Sequence, residues 1–150
     1  MTSDRTPSAD QVRRDCVLCR VVRGELQVDK VIETDGIVGM MARREALSRG
    51  HCVFFPKVHA QSFEQMDNRE LAEILVVMKR VAWVAGFVAY NILQNNGALA
   101  GQTVFHAHFH MIPKWRQNNG LCVISQHATT IDHGDLPERI RRELSLKRNR

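Results

Sequence analysis

The sequence predicts an α+β fold: a five-stranded antiparallel sheet with one long helix and short accessory helices. Three observations carry this. Five short runs rich in β-branched, aromatic and other apolar residues are bounded by turn signals. Residues 67–86 keep helical apolar spacing over their whole length. Strands and helices do not alternate regularly, as a parallel sheet with crossover helices would require.

A chain of 150 residues, 44% of them hydrophobic, can bury one sizeable core and is too short for two ordinary domains. Residues 15–150 therefore read as one domain, and the polar, charged residues 1–14 as a disordered lead. "CVLCRVVRGEL" offers a short helix or turn ending near Gly24. "KVIET" and "IVGMMA" are strands joined at Asp35-Gly36, a hairpin. "HCVFFP" is a third strand, closed by Pro56. Leu71, Ile74, Leu75, Met78, Val81, Ala82 and Ala85 follow a 3.6-residue period and define the main helix. Asp67 is its N-cap, Glu70 completes a capping box and Gly86 is the stop. "AYNILQ" is a fourth strand, "NNGALAGQ" a loop and "TVFHAHFHMI" a fifth strand.

The formal net charge of +5 owes much to the tail "LPERIRRELSLKRNR". There Leu136, Ile140 and Leu144 stand near helical spacing, so the tail reads as an amphipathic helix from about residue 136 with a solvated basic face. No aromatic interleaving or nucleic-acid motif accompanies the charge, and a nucleic-acid partner is not expected. The opening "MTSDRTPSADQVRRD" lacks the apolar core of a secretory signal, and the most apolar stretch is broken by Lys79 and Arg80. The expected protein is cytoplasmic, with no membrane span. Four cysteines in a reducing compartment serve metal binding or packing, not disulfides. Cys52 and Cys122 have no partner spacing and read as packing residues. Cys16 and Cys19 form a C-x-x-C pair, which supplies half of a tetrahedral zinc site if two more ligands are found, with histidines the available supply.

The most informative stretch is "GQTVFHAHFHMIP", residues 101–113. In a strand, residues two apart stand about 6.6 Å from each other on the same face. His106, His108 and His110 would share one face, with Ala107, Phe109 and Met111 on the apolar other. The main helix would cover the apolar face and leave the histidines lining a cleft. Imidazole ligates metals and acts as acid, base or nucleophile, so three in register suggest chemistry.

At these residues the chain resembles the histidine triad nucleotide-binding proteins, whose signature is His-φ-His-φ-His-φ-φ with φ apolar. "HAHFHMI" fits at every position. The likeness takes in "PKVH", "NNG", "GQTVFH" and the "IP" that follows, and spans roughly residues 16–115. It is closest to the Hint branch, especially its zinc-containing bacterial members.

That resemblance implies a division of labour. His108, the middle histidine, would be the nucleophile, and His110 would flank the phosphate. His106 would join Cys16, Cys19 and His59 as ligands of a closed, structural zinc. Gly101, Gln102 and Thr103 would cradle the phosphate, with Asn95 supporting the site. His51 matches a further family histidine near the catalytic centre, or is a solvated residue at a strand start. The implied activity is hydrolysis at the α-phosphorus of nucleoside 5'-phosphoramidates or related nucleotidyl conjugates through a covalent nucleotidyl-histidine. Alternatives are a dinucleoside polyphosphate hydrolase or phosphorylase, a nucleotidyl transferase, or a nucleotide-binding regulatory protein with little turnover. The resemblance also implies a homodimer. It fails at one place: Arg43 stands where the family carries a ribose-binding aspartate. An arginine donates where a carboxylate would accept, so a guanidinium buried beside the sugar would favour a ligand with an extra negative charge there.

Overall fold

The computed structural model describes residues 9–43, 46–116 and 134–147. Residues 1–8 and Cys122 lie outside the described residues. Five strands form one antiparallel sheet: β1 (Lys30–Glu33), β2 (Ile37–Met41), β3 (Cys52–Pro56), β4 (Tyr90–Gln94) and β5 (Phe109–Pro113). Their spatial order is β1-β2-β3-β5-β4. The β1–β2 hairpin closes where Thr34 N–H donates to the Ile37 carbonyl and Ile37 N–H donates to Thr34 Oγ1. β3 is central and all five of its residues are buried, which is why "CVFFP" carries no polar alternation.

Helix α3 (Asn68–Val84) starts as its sequence predicts. The Asp67 carboxylate accepts from Arg69 N–H at 2.7 Å, and the Glu70 carboxylate accepts from Asp67 N–H at 3.2 Å. Gly86, at φ 66°, takes the left-handed conformation that ends it. The buried stripe is Ile74, Val77, Met78 and Ala82, packed on Ile37, Phe54, Phe109 and Met111. Leu75, expected in that stripe, is 54% exposed, because Val77 takes the inward position.

The opposite sheet face carries a second cluster, in which Leu18 and Val21 of α2 (Val17–Val22) pack on Val38, Val53 and Phe55. A further helix, α1 (Ala9–Asp15), stands where the composition suggests a disordered lead. It is tied to the following segment by Cys16 N–H donating to the Val12 carbonyl and by Arg23 donating to the carbonyls of Arg13 and Arg14. Helix α4 (Leu136–Lys147) forms at the expected basic tail, with Leu136 and Ile140 exposed. No helix among the described residues is long and apolar enough to cross a membrane.

The fifth strand is shorter than expected. β5 begins at Phe109, so only His110 of the three histidines lies on it, while His106 and His108 precede it. The alternation nevertheless persists through the irregular stretch. Ala107 is buried in the α3-side cluster and its N–H donates to the Ala60 carbonyl, whereas His106 lies edge-on to Phe55 of the other face. Residues 106–108 are therefore held in an extended path by a loop partner in place of a neighbouring strand.

Candidate active site and metal centre

At one end of the histidine line, Cys16, Cys19, His59 and His106 bring one ligand atom each to within 4.8 Å of all the others. Cys16 Sγ is 3.4 Å from His106 Nδ1, Cys19 Sγ is 3.6 Å from the same atom, and Cys19 Sγ is 3.2 Å from His59 Nδ1. Around one tetrahedral ion, sulfur at about 2.3 Å and imidazole nitrogen at about 2.0–2.1 Å stand about 3.5 Å apart. The spacing thus fits a single ion.

The chemistry fits as well. His106 is fully buried and its Nε2–H donates to the Pro56 carbonyl at 2.8 Å, which turns the lone pair of Nδ1 toward the two thiols. Burial lowers its pKa to about 4, keeping it a neutral ligand. Burial and the neighbouring Cys16 push the Cys19 thiol up to about 11, so paired thiolates there need a countercharge, which a divalent cation supplies. His59 Nε2 is buried with no hydrogen-bond partner among the described residues.

A cavity of about 480 Å³ opens beside this centre. Its polar lining comes from His51, Asn95, Gly101, Thr103, His108 and His110. Its remaining walls are aliphatic: Val17, Leu18 and Val21 of α2 on one side, and Val53, Leu93 and Ile112 of the sheet on the other. A larger cleft of about 610 Å³ holds no histidine, and its four carboxylates, Asp35, Asp67, Glu70 and Glu73, outnumber its one cation, Arg69, so it is a poor site for a phosphate.

Backbone groups set the protonation pattern in the cavity, because a carbonyl can only accept and an N–H can only donate. His108 Nδ1–H donates to the carbonyl of His106 at 2.7 Å, which leaves the lone pair on Nε2. Leu47 N–H donates to His51 Nδ1 at 3.2 Å, so the proton of neutral His51 sits on Nε2 and is donated to His110 Nδ1 at 2.9 Å. His110 must then carry its own proton on Nε2. Burial, then the charges of His108 and His51, lowers the His110 pKa to about 4, and burial lowers that of His51. The His108 and His110 rings meet edge-on with centroids 5.0 Å apart. A bare imidazole nitrogen and an imidazole N–H donor therefore stand side by side.

Most predicted site residues come together here, including His51, which is 5% exposed and not a solvated strand start. Gly101 sits at φ 84°, with its carbonyl accepting from Asn95 Nδ2 at 3.4 Å. Two residues differ from expectation. The buried side chain of Gln102 is turned into its own loop: Oε1 accepts from Gly97 N–H, and Nε2 donates to the carbonyls of Gln61 and Val104. It shapes the cradle and does not line it. Arg43 is exposed and outside the cavity lining, with a forked pair of bonds to Asp29 at 3.0 and 2.8 Å. The expectation of a guanidinium buried beside the sugar is thereby corrected: a solvent-exposed carboxylate within reach takes the charge. The aliphatic wall was not anticipated, although the apolar spacing of "CVLCRVV" carries its signal.

The HIT domain family matches residues 23–117. Among curated relatives, adenosine 5'-monophosphoramidase hnt1 of Schizosaccharomyces pombe is 37% identical over 108 residues, covering 72% of this chain and 80% of the relative. Adenylylsulfatase HINT3 of Arabidopsis thaliana is 31% identical, over 75% of this chain and 59% of that protein. The crystal structure of a histidine triad nucleotide-binding protein from Candida albicans superposes with a TM-score of 0.79 at 32% identity, covering 87% of this chain and 98% of that one. The chain belongs to the HIT domain family.

Proposed function

We propose that the protein is a Hint-like nucleotide hydrolase that cleaves nucleotidyl conjugates at the α-phosphorus, nucleoside 5'-phosphoramidates foremost. The observation that carries this reading is the hydrogen bond from His108 Nδ1–H to the His106 carbonyl, which leaves a nucleophilic Nε2 in the cavity. Nε2 attacks phosphorus, the P–N bond breaks, and the amine leaves with the bonding pair and a proton supplied by solvent water. A nucleotidyl-histidine remains. Water then attacks the same phosphorus, breaks the P–N bond to His108 and releases the nucleoside monophosphate. His110, in its Nε2–H form, and the backbone around Gly101 and Thr103 stabilise the phosphoryl oxygens in both steps. The aliphatic walls take the nucleoside end. The relatives named for phosphoramidate and adenylyl sulfate cleavage support the same bond class at phosphorus with different leaving groups.

Cys16, Cys19, His59 and His106 would hold zinc as a closed four-ligand site, whose contribution is structural. Two thiolates in such a site suit a reducing, cytoplasmic compartment. A homodimer is part of the proposal: Trp83 is 84% exposed beside Val84 on α3, and Ile92 is half exposed on β4, whose outer edge has no strand partner among the described residues. Quenching with alkaline denaturant, in which a P–N-linked nucleotidyl-histidine persists, during turnover of phosphorus-labelled adenosine 5'-phosphoramidate tests the reaction. Label is expected on wild-type protein and absent from His108→Asn, whose turnover falls at least about a thousandfold. Undiminished hydrolysis by that variant refutes the mechanism.

A further inference from the structure

The metal centre and the cavity share a helix. α2 has six residues, too short to persist alone, and its N-cap Cys16 makes no side-chain capping bond. Cys16 and Cys19, one turn apart, carry its metal-side face. Val17, Leu18 and Val21, on the neighbouring face, form one wall of the cavity, and Val17 is still 41% exposed to an incoming ligand. The facing wall belongs to β3, β4 and β5 and is held by strand pairing.

The nucleophile is anchored differently. The His106 carbonyl that fixes His108 is positioned by the His106 Nε2–H bond to Pro56 and by the Ala107 N–H bond to Ala60. His106 is itself a metal-site residue, but neither bond uses a cysteine or His106 Nδ1, the atom that faces the thiols. We propose that the metal centre sets how tightly the cavity holds the nucleoside end of its substrate, and that Cys16 and Cys19 are positioning residues for binding, not for the chemical step. The inference rests on reading the cavity as a nucleotide site. Without the metal, α2 is held to the sheet only by the apolar contacts of Leu18 and Val21, which keep the chain folded, while its N-terminal end at Cys16 and Val17 loses its anchor and that part of the cavity wall is no longer fixed.

The test uses the full chain. Zinc content is measured by elemental analysis, folding by circular dichroism, adenosine 5'-monophosphate affinity by calorimetry, and kcat and KM on adenosine 5'-phosphoramidate. Cys16→Ser is expected to lose the metal, to weaken nucleotide binding and raise KM by at least about tenfold, and to keep kcat within about threefold of wild type. Affinity unchanged in metal-free protein overturns the proposal, as does a fall in kcat at unchanged affinity. If Cys16→Ser does not fold, Cys16→His restores a ligand on the same helix residue, and its nucleotide affinity should rise with its zinc content. A zinc-loaded Cys16→His chain that still binds nucleotide weakly, or a zinc-free one that binds as wild type does, is equally contrary. Wild-type protein that neither binds nor hydrolyses these nucleotides refutes the functional reading itself, a different failure.

Discussion

Replacing His110 by leucine should flatten the dependence of stability on pH, by an amount the structure sets. In the folded chain burial, then the neighbouring His108 and His51, lowers the His110 pKa to about 4. In the unfolded chain it returns to about 6.5. Between those values the unfolded state binds the proton and the folded state does not, so stability falls as the pH drops through this window and is fully present above about 6.5. At pH 5.0 the unfolded imidazole is almost wholly protonated and the folded one about one-tenth so. The resulting loss between pH 7.5 and 5.0 is about 2 kcal/mol for His110 alone.

Urea denaturation of wild type and His110→Leu at both pH values isolates this contribution. Groups that titrate identically in the two proteins, metal ligands included, cancel in the comparison. The variant is expected to be less stable at pH 7.5, because His51 Nε2–H loses its acceptor, and to lose about 2 kcal/mol less than wild type on acidification. Equal losses in the two proteins would mean that His110 takes up its proton in the folded state, and the neutral donor assigned to it would be wrong.

Other expected outcomes follow from single contacts. Arg43→Ala should leave the urea denaturation midpoint unchanged and alter adenosine monophosphate affinity by less than about twofold in calorimetry, since its pair with Asp29 is exposed and outside the cavity. Gln102→Leu leaves the Gly97 N–H and the Gln61 carbonyl without their partner, the Val104 carbonyl keeping His106 N–H, and should cost about 2–3 kcal/mol in urea denaturation. Gly39→Ala places a Cβ 2.7 Å from the Phe54 ring and 2.8 Å from Ile32, and should lower stability by about 1–3 kcal/mol in the same assay. Stripping the proposed zinc with a chelator should lower the melting temperature measured by circular dichroism, because a closed site contributes folding free energy.

What could be read from the sequence was whatever depends on short spacing. The Asp67–Glu70 capping box is a contact between residues three apart, and it forms as read. The alternation of His106, His108 and His110 against Ala107, Phe109 and Met111 also survives, even though strand pairing covers only part of it. The four metal-site residues meet as the resemblance implies. Contacts that depend on distant chain segments were not legible. The start of β5 coincides with the end of β4, where Gln94 pairs with Phe109, although β3 runs two residues further, to Pro56. Arg43 pairs with Asp29, fourteen residues away, and nothing in "ARREA" announces that partner. Helix α1 gains order from Arg23, beyond the helix it caps.

The same distinction explains why three chemically identical side chains, two residues apart, can do different work. Each imidazole is tuned by a different backbone group: His106 by the Pro56 carbonyl at Nε2, His108 by the His106 carbonyl at Nδ1, and His110 indirectly by Leu47 N–H through His51. The first is left with a lone pair at Nδ1, the second with a lone pair at Nε2, and the third with a proton at Nε2. The proposed ligand atom, nucleophile and donor follow from those assignments, not from the residue type. The triad's period of two puts the three rings on one face; the backbone groups of Pro56 and Leu47, brought from elsewhere in the chain, and the carbonyl of His106 within the line itself determine what each ring can do there. Substituting any one histidine therefore removes a distinct chemical function, and no member of the line can stand in for its neighbour.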